Sequence, residues 1–428
     1  MKIRALTVGQ KVPFLSENSF FEKFLEEKLY YFDQLNKDFK DLISSEGIEI
    51  QSIRFCTQPI LTYENKFREW NLDEIISRLH EQLDILENLT NKYGINYYAC
   101  AMILAEQQME KYGVYEKLLL NEVPRFIRKR ERFFTSLSVA SSERGINLSA
   151  LRSGAKIIKE LSIKDPFDNL KFCISTNVKP DTPFFPAAYH LSDNPSFSVA
   201  MELADEVVEV FSNTKSFSEA QLSLKKRFLE IYDLIGSIGE KLAEKNGIEF
   251  MGIDFSPAPY PTVEKSIGTA IEKLNFEYFG SPGSLIAVAM IKNAIPQLGK
   301  VIGFSGFMPS VLEDYTIATR LAEQKFNLDT LLLYSTMCGT GLDCVPLPGD
   351  ITQRELFYIL LDVCTISIRL NKPLTARLMP IPGRSAGEEV KFNFEYFANS
   401  KVMDVRRISD EIENDLFNSK EKNFKFLE

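Results

Sequence analysis

Short runs of β-forming residues alternate with long amphipathic helical patterns along the whole of this 428-residue chain. The runs predict strands near residues 3–8, 49–56, 96–103, 133–139, 170–177, 249–255, 300–306, 331–336, 373–380 and 401–405. Most are rich in Val, Ile, Phe, Tyr and Leu, which is typical of strands covered on both faces. Such alternation predicts a parallel α/β architecture. Ten strands exceed the eight of a TIM barrel, so either a larger closed barrel or a long open sheet fits.

Three helices are indicated most clearly. Residues 16–43 and 71–93 carry apolar residues at three- and four-residue spacing, and Asn71 is a cap residue followed by two early carboxylates. A third pattern, residues 216–245, ends at an Asn-Gly pair, a common helix stop. No linker rich in Ser, Gly or Pro interrupts the chain. We therefore predict a single α/β barrel domain over residues 1–428, with a surface helix or tail after about residue 405.

The charge balance limits the kinds of partner. A formal net charge of -9 and a pI near 5.2 argue against general nucleic-acid binding. The first eight residues alternate apolar and polar side chains and do not resemble a signal peptide. No apolar run approaches the ~18 residues of a membrane span. We expect a cytoplasmic protein without nucleic-acid or membrane partners, and the high aromatic content leaves a homo-oligomer open.

The cysteines and histidines do not form a recognisable metal motif. The six cysteines are scattered, without a CxxC pair or zinc-type spacing, and are expected to be free thiols. There are only two histidines. His190 ends a rigid aromatic loop and is a candidate acid/base group, although a lone histidine is more often structural. Four cysteines within apolar runs are predicted to be core residues: Cys56, Cys100, Cys173 and Cys364.

The segment MCGTGLDCVPLPGD, residues 337–350, has the most unusual composition in the chain. We predict a functional loop here, between a buried strand at 331–334 and a helix that begins at 351. An inert cysteine is the alternative to a reactive one, because most cysteines lack the setting that reactivity requires. The candidate functional residues are the ligand-binding Gly339 and Gly341, the nucleophile Cys338, and the metal ligands Asp343 and Asp350.

Other polar candidates lie where predicted strands end. Asp254 and Ser256 share one face of the chain at the end of the predicted strand 249–255. Asp254 is a candidate general base or metal ligand, with the capping of a backbone amide as the alternative. Ser305 lies between two glycines of the predicted strand 300–306, where a ligand or a neighbouring element is expected to approach closely.

Arg54 and Arg377 each lie in an otherwise apolar run, and a buried arginine needs a partner. Together they could clamp the carboxylate or phosphate of a small anion. Internal aspartates could equally neutralise them, and the sequence leaves both interpretations open. If Asp254, Asp343 and Asp350 bind a metal, oxygen ligands without histidine favour a divalent cation such as Mg²⁺.

Four segments together resemble the uncharacterised family catalogued as domain of unknown function 711. They are residues 183–190, 252–262 (GIDFSPAPYPT), 338–350 and 381–387 (IPGRSAG). The resemblance extends from the opening ALTVG to about residue 405. It implies the ten-stranded α/β barrel of pyruvate formate-lyase and the ribonucleotide reductase large chain, in which two five-stranded parallel halves run in opposite directions. It implies no established reaction.

Glycyl radical chemistry is not expected. Radical enzymes similar in fold keep an Arg-Val-x-Gly-aromatic motif near the C-terminus, whereas the last glycine here is Gly387, followed by Glu388. We therefore expect a non-radical enzyme that binds a small anionic metabolite inside the barrel. The alternative is a metabolite-binding or regulatory protein without catalysis, because a fold can hold a ligand without turning it over.

Overall fold

The alternating pattern folds as a mixed α/β structure with one large, mostly parallel sheet and many helices. The computed structural model describes residues 1–62, 71–337, 339–409 and 415–427. Within these ranges the strands are β1 (Lys2–Gly9), β2 (Glu49–Cys56), β3 (Tyr97–Ala99), β4 (Ile103–Leu104), β5 (Phe133–Ser141), β6 (Gly145–Asn147), β7 (Phe172–Thr176), β8 (Ser196–Glu202), β9 (Glu249–Asp254), β10 (Gly341–Pro348), β11 (Leu374–Ile381), β12 (Glu389–Val390), β13 (Ser400–Lys401) and β14 (Asn423–Phe424).

The helices begin and end close to where their patterns predict. Asn71 caps its helix by accepting a hydrogen bond from the Glu74 amide at 2.8 Å, and Thr352 caps the helix after β10 in the same way. The α-helices of the described ranges are α1 (Asn18–Ser44), α2 (Leu72–Lys92), α3 (Tyr112–Lys129), α4 (Leu148–Lys164), α5 (Ala204–Ser212), α6 (Phe217–Asn246), α7 (Ile267–Glu272), α8 (Leu285–Ala294), α9 (Tyr315–Ala322), α10 (Leu328–Ser335) and α11 (Gln353–Arg369).

The main sheet has the strand order β10-β11-β7-β5-β3-β2-β1-β8-β9. β1, β2, β3, β5 and β7 are mutually parallel. β8 pairs in parallel with β9, and β10 with β11. The two junctions, β1 with β8 and β7 with β11, are antiparallel. The first set of strands (β1, β2, β3, β5 and β7) and the second set (β8, β9, β10 and β11) therefore run in opposite directions. The carboxyl ends of the second set lie beside the amino ends of the first.

Residues 301–310 contact both outermost strands of this order. Val301 forms a parallel bridge with Ile253 in β9, and Ser310 forms one with Asp343 in β10. The predicted strand 300–306 is reduced to the first of these bridges. Gly303 and Ser305 have φ angles of +67° and +39°, and this left-handed backbone interrupts a strand.

The apolar run 331–334 is part of helix α10, so the strand predicted there is wrong. The helix begins after Asn327, whose side chain accepts a hydrogen bond from the Thr330 amide at 3.3 Å. Leu331 and Tyr334 are buried, whereas Leu333 is 51% exposed. This three-residue spacing is typical of a helix with one face in the core. Periodicity cannot distinguish a strand from a helix in so short an apolar run.

The strand of this region is β10, inside the segment predicted to be a loop. All eight of its residues are buried. Pro346 and Pro348 lack an amide N–H. They are accommodated because, among the described residues, the bridge on the side of β10 away from β11 lies at Asp343 and not at either proline. The serine-containing β8 was missed, and the predicted strand 96–103 is split into β3 and β4. Of the last predicted strand, 401–405, only Lys401 belongs to an observed strand, β13.

The buried side chains bear out the predicted core. Cys56, Cys100, Cys173 and Cys364 are buried free thiols, as predicted, and burial raises the pKa of Cys100 to about 12. The described part of the C-terminal tail is attached to the rest of the fold, since β14 pairs with β6. Within the described ranges, no helix is both long and apolar enough to cross a membrane.

Candidate functional site: an arginine-lined cavity

A cavity of about 120 Å³ is lined by residues of both sets of strands. Its walls combine aromatic and aliphatic side chains with polar and charged groups, a composition usual for small-molecule sites. The charged lining residues are Arg4, Arg54, Asp254, Glu313 and Arg377. The aromatic lining residues are Tyr97, Phe134, Phe184, Phe185, Phe394 and Tyr396.

Arg54 contributes a positive charge without a counter-ion. It shares one face of β2 with Ser52, whose Oγ accepts a hydrogen bond from Arg54 Nε at 3.0 Å. The guanidinium carbon lies 5.2 Å from the ring centre of Phe185 and 5.9 Å from that of Tyr97. No carboxylate of the described residues forms an ion pair with it. Burial, together with the nearby Arg4, lowers the pKa of Arg54 to about 9, because the charged form is poorly solvated.

Arg377, by contrast, is neutralised within the fold. Its Nε lies 2.6 Å from Asp343 Oδ1, and its Nη2 lies 3.2 Å from Glu313 Oε1. Glu313 Oε2 accepts a further hydrogen bond from Arg4 Nη2 at 2.7 Å. The four side chains, which we call the buried ion network, contain two guanidiniums and two carboxylates. Of the two arginines considered as an anion clamp, Arg377 has carboxylate partners, whereas Arg54 has none among the described residues.

Glu313 joins the two guanidiniums of the buried ion network. Burial alone would raise the pKa of this carboxyl group, but the adjacent Arg4 and Arg377 outweigh burial and hold the pKa below its ordinary value. Arg377 is affected in the opposite direction. Burial would lower the pKa of Arg377, but Asp343, Cys344 and Glu313 raise it. Both groups therefore stay charged at neutral pH.

Asp254 lines the cavity and also joins β9 to the segment 301–310. It accepts hydrogen bonds from the amide and hydroxyl of Ser256 at 2.8 and 2.7 Å, and from the amides of Phe304 and Ser305 at 3.0 Å each. A Cβ at Gly303 would lie 2.2 Å from Asp254 Oδ2, so this close approach requires glycine. Burial raises the pKa of Asp254, and the four donors oppose that change.

The two glycines at the start of the 338–350 segment pack against protein backbone. Cys338 itself lies outside the described residues. A Cβ at Gly339 would lie 2.8 Å from the Phe304 carbonyl oxygen. Gly341 has a φ of +87°, and a Cβ there would lie 2.3 Å from the Thr375 carbonyl oxygen of β11. Both glycines therefore have a packing role in the structure. The ligand-binding role stays a prediction.

The three carboxylates predicted to share a metal ion are dispersed. Asp343 belongs to the buried ion network, and Asp254 holds the 301–310 segment. Asp350 lies on the surface, where its Oδ1 accepts a hydrogen bond from Arg407 Nη1 at 2.9 Å. Hydrogen bonding to Arg407 lowers the pKa of Asp350. Among the described residues these three do not form a group of possible metal ligands.

A different group, Glu313, Asp343 and Cys344, places its possible ligand atoms within 4.8 Å of one another in the described part of the chain. The group fits a cation poorly. Both carboxylates already neutralise guanidiniums, and Arg377 would repel a cation. Burial raises the pKa of Cys344 well above its ordinary value, so the thiol keeps its proton. Asp343 Oδ2 is buried without a hydrogen-bond partner in this region.

His190 is fully buried and does not line the cavity. Its Nδ1 lies 2.6 Å from Asp181 Oδ1, and its Nε2 lies 3.0 Å from the Asn194 carbonyl oxygen. Ser196 Oγ donates a hydrogen bond to the same Asp181 oxygen at 2.9 Å. Both ring nitrogens are therefore engaged by the protein. This geometry corresponds to the structural alternative for a lone histidine.

Two charged cavity residues, Arg4 and Glu313, were not singled out from the sequence. Arg4 carried a usable signal, because it is a cation within the short β-type run of β1, like Arg54 in β2. Glu313 carried none, since an acidic residue between two predicted elements is ordinary. The aromatic residues Phe394 and Tyr396 also gave no local sign that they would line a cavity.

The fold and the cavity define a class: an α/β protein with a cavity in which charged groups and aromatic rings meet. The chain belongs to the family described as Uncharacterised ACR (DUF711), which matches residues 1–399. The resemblance of the four sequence segments to this family is thereby confirmed. Family membership brings no assigned activity with it.

Relatives at moderate identity cover most of the chain. A UPF0210 protein of Pyrobaculum aerophilum is 29% identical over 397 residues, which are 90% of this chain and 85% of the relative. A UPF0210 protein of Carboxydothermus hydrogenoformans is 27% identical over 386 residues, 87% and 83% of the two chains. One of Methanocaldococcus jannaschii is 25% identical over 378 residues, 85% and 81% of the two chains. These names state no reaction, so function has to be argued from the cavity.

Proposed function

We propose that this protein is a non-radical enzyme that holds a small anionic metabolite in the cavity, with Arg54 as the anion anchor. The observation that carries the proposal is the guanidinium of Arg54, which has no carboxylate partner among the described residues. A poorly solvated charge without a partner costs free energy, and a bound anion would recover it. A guanidinium also presents paired donors that match a carboxylate or a phosphate.

The site in this proposal is the interior of a closed ten-stranded barrel similar to those of pyruvate formate-lyase and the ribonucleotide reductase large chain. The parallel set of five strands supports it, as does the opposite direction of β8, β9, β10 and β11. Residues 301–310, which bridge both β9 and β10, would complete the second half. Closure would leave no open sheet edge and would direct alternate side chains inward.

Asp254 would be the acid/base group of such an enzyme. It lines the same cavity as Arg54, and burial raises its pKa. A carboxyl group with a raised pKa exchanges its proton nearer to neutral pH than an exposed aspartate does. The alternative is a binding or regulatory protein without catalysis. It is favoured by the four protein donors around Asp254, which give this carboxyl group a structural role.

Mass spectrometry of small molecules released from gently purified protein tests the proposal. We expect an anion retained by the wild type and lost from Arg54→Gln. The matched control is Arg384→Gln, which removes an exposed guanidinium and should retain the anion. A substrate–product pair whose conversion slows in Asp254→Asn would support the enzyme, and a single unchanged ligand would support the binding alternative. Equal retention by the wild type and Arg54→Gln would contradict the role of Arg54.

A further inference from the structure

We infer that the anion is a small monocarboxylate with a flat, unsaturated body, such as an aromatic acid. This inference rests on the proposed function and names the chemical class of its ligand. The charges of the lining argue for a single negative charge. The buried ion network is balanced, and Arg54 is the cation of the described lining residues that has no ion-pair partner. A second negative charge would face Glu313 and Asp254 without a cation of its own.

A second unpaired donor accompanies Arg54 in the lining. Gln51 belongs to the same strand, β2, and also lines the cavity. Its Nε2 is buried and has no hydrogen-bond partner among the described residues. A buried donor without a partner is uncommon, because it loses its hydrogen bond to water on folding. A carboxylate has enough acceptor positions for both the guanidinium and this amide.

Aromatic rings form part of the wall around Arg54. Tyr97 and Phe134 pack edge to face, with ring centres 5.2 Å apart and an interplanar angle of 71°. Phe134 in turn lies 5.9 Å from Phe185, the ring nearest to the Arg54 guanidinium. Rings in such arrays expose faces and edges that pack well against another planar group. They pack less well against a compact, hydrated anion. The body of the ligand is therefore expected to be flat and apolar.

The size of the cavity restricts that body further. Its volume of about 120 Å³ is close to the ~150 Å³ of a cavity that holds one benzene molecule. A single small ring or a short unsaturated chain fits this space, whereas a nucleotide does not. Phe394 and Tyr396 also line the cavity and add aromatic surface to its walls.

Isothermal titration of the full chain with five probes tests the inference. The probes are benzoate, cyclohexanecarboxylate, benzamide, acetate and phenyl phosphate, which carries nearly two negative charges at neutral pH. We expect benzoate to bind most tightly. Arg54→Gln should weaken benzoate about tenfold to a hundredfold, as the loss of a hydrogen bond to a charged group does. Arg384→Gln should leave it unchanged, and Gln51→Leu should weaken it less than Arg54→Gln does.

The outcomes separate this inference from the proposed function. Binding of acetate or phenyl phosphate that matches benzoate and depends on Arg54 would overturn the aromatic monocarboxylate and leave the anion site intact. Tight binding of benzamide would show that the charge is not required, and would overturn both. Failure of every probe to bind in an Arg54-dependent way would also overturn both. Circular dichroism of Arg54→Gln checks that any loss of binding is not a loss of folding.

Discussion

Replacing Glu313 with glutamine tests the buried ion network most directly. The two oxygens of Glu313, a residue that is 5% exposed, lie 2.7 Å from Arg4 Nη2 and 3.2 Å from Arg377 Nη2. Glutamine keeps the shape and removes the charge. Arg4 would then be left with Glu202, 3.9 Å away, while Arg377 would keep Asp343 at 2.6 Å. We expect a large loss of stability from this isosteric change.

The magnitude follows from these remaining partners. Breaking a buried ion pair by removing one partner costs ~3–5 kcal/mol. Because each arginine keeps a second carboxylate, we expect the lower end, a loss of about 3 kcal/mol in the free energy of unfolding. The pKa of Glu313 in the folded protein is lowered, since Arg4 and Arg377 outweigh burial. Its stabilisation is therefore complete above the unfolded pKa of about 4.3 and is lost as the pH falls through the folded value.

Urea unfolding at neutral pH, followed by far-UV circular dichroism and tyrosine fluorescence, measures this loss; coincident transitions would support a single unfolding step. The control is Asp329→Asn, which breaks an ion pair with Arg406 whose side chains are 42% and 83% exposed. That pair should contribute less than about 1 kcal/mol. A Glu313→Gln variant as stable as the control would refute the reasoning. The reasoning would also be refuted if the difference in unfolding free energy between the variant and the wild type stayed the same at acid pH.

Three further predictions concern stability. Gly341→Ala should destabilise the protein strongly because its Cβ would lie 2.3 Å from the Thr375 carbonyl oxygen. Gly236→Ala, in open space within α6, should instead stabilise the protein by ~0.5–1 kcal/mol. Urea unfolding midpoints measure both effects, and similar midpoints for the two variants would contradict the packing argument. His190→Gln should lower the melting temperature in calorimetry and leave benzoate affinity unchanged, since both ring nitrogens bond to the protein away from the cavity; a selective loss of affinity would speak against this. Asn71→Ala should cost about 1 kcal/mol in urea unfolding through loss of a helix cap, and no change would mean that the cap is replaced by water.

Local patterns in the chain were enough to predict much of the fold. The α/β class and helices α1, α2 and α6 follow from residue periodicity and capping residues, which act within a few positions of the chain. Errors arose where local signals conflict. The run 331–334 is apolar enough for either element. The prolines of β10 concealed a strand that tolerates them because its described bridge on the side away from β11 lies at Asp343.

The sequence by itself determined the α/β class, the family and several residues that line the cavity, among them Arg54, Asp254 and Arg377. Only the tertiary structure decided which of the two arginines is neutralised. Glu313 lies 309 positions from Arg4 and 64 from Arg377 along the chain, so their contact depends on the order and direction of strands. The energy of an ion pair depends on the distance between the two charges in space and not on their separation along the chain. For that reason, only the folded structure shows that Arg54, unlike Arg377, has no carboxylate partner among the described residues.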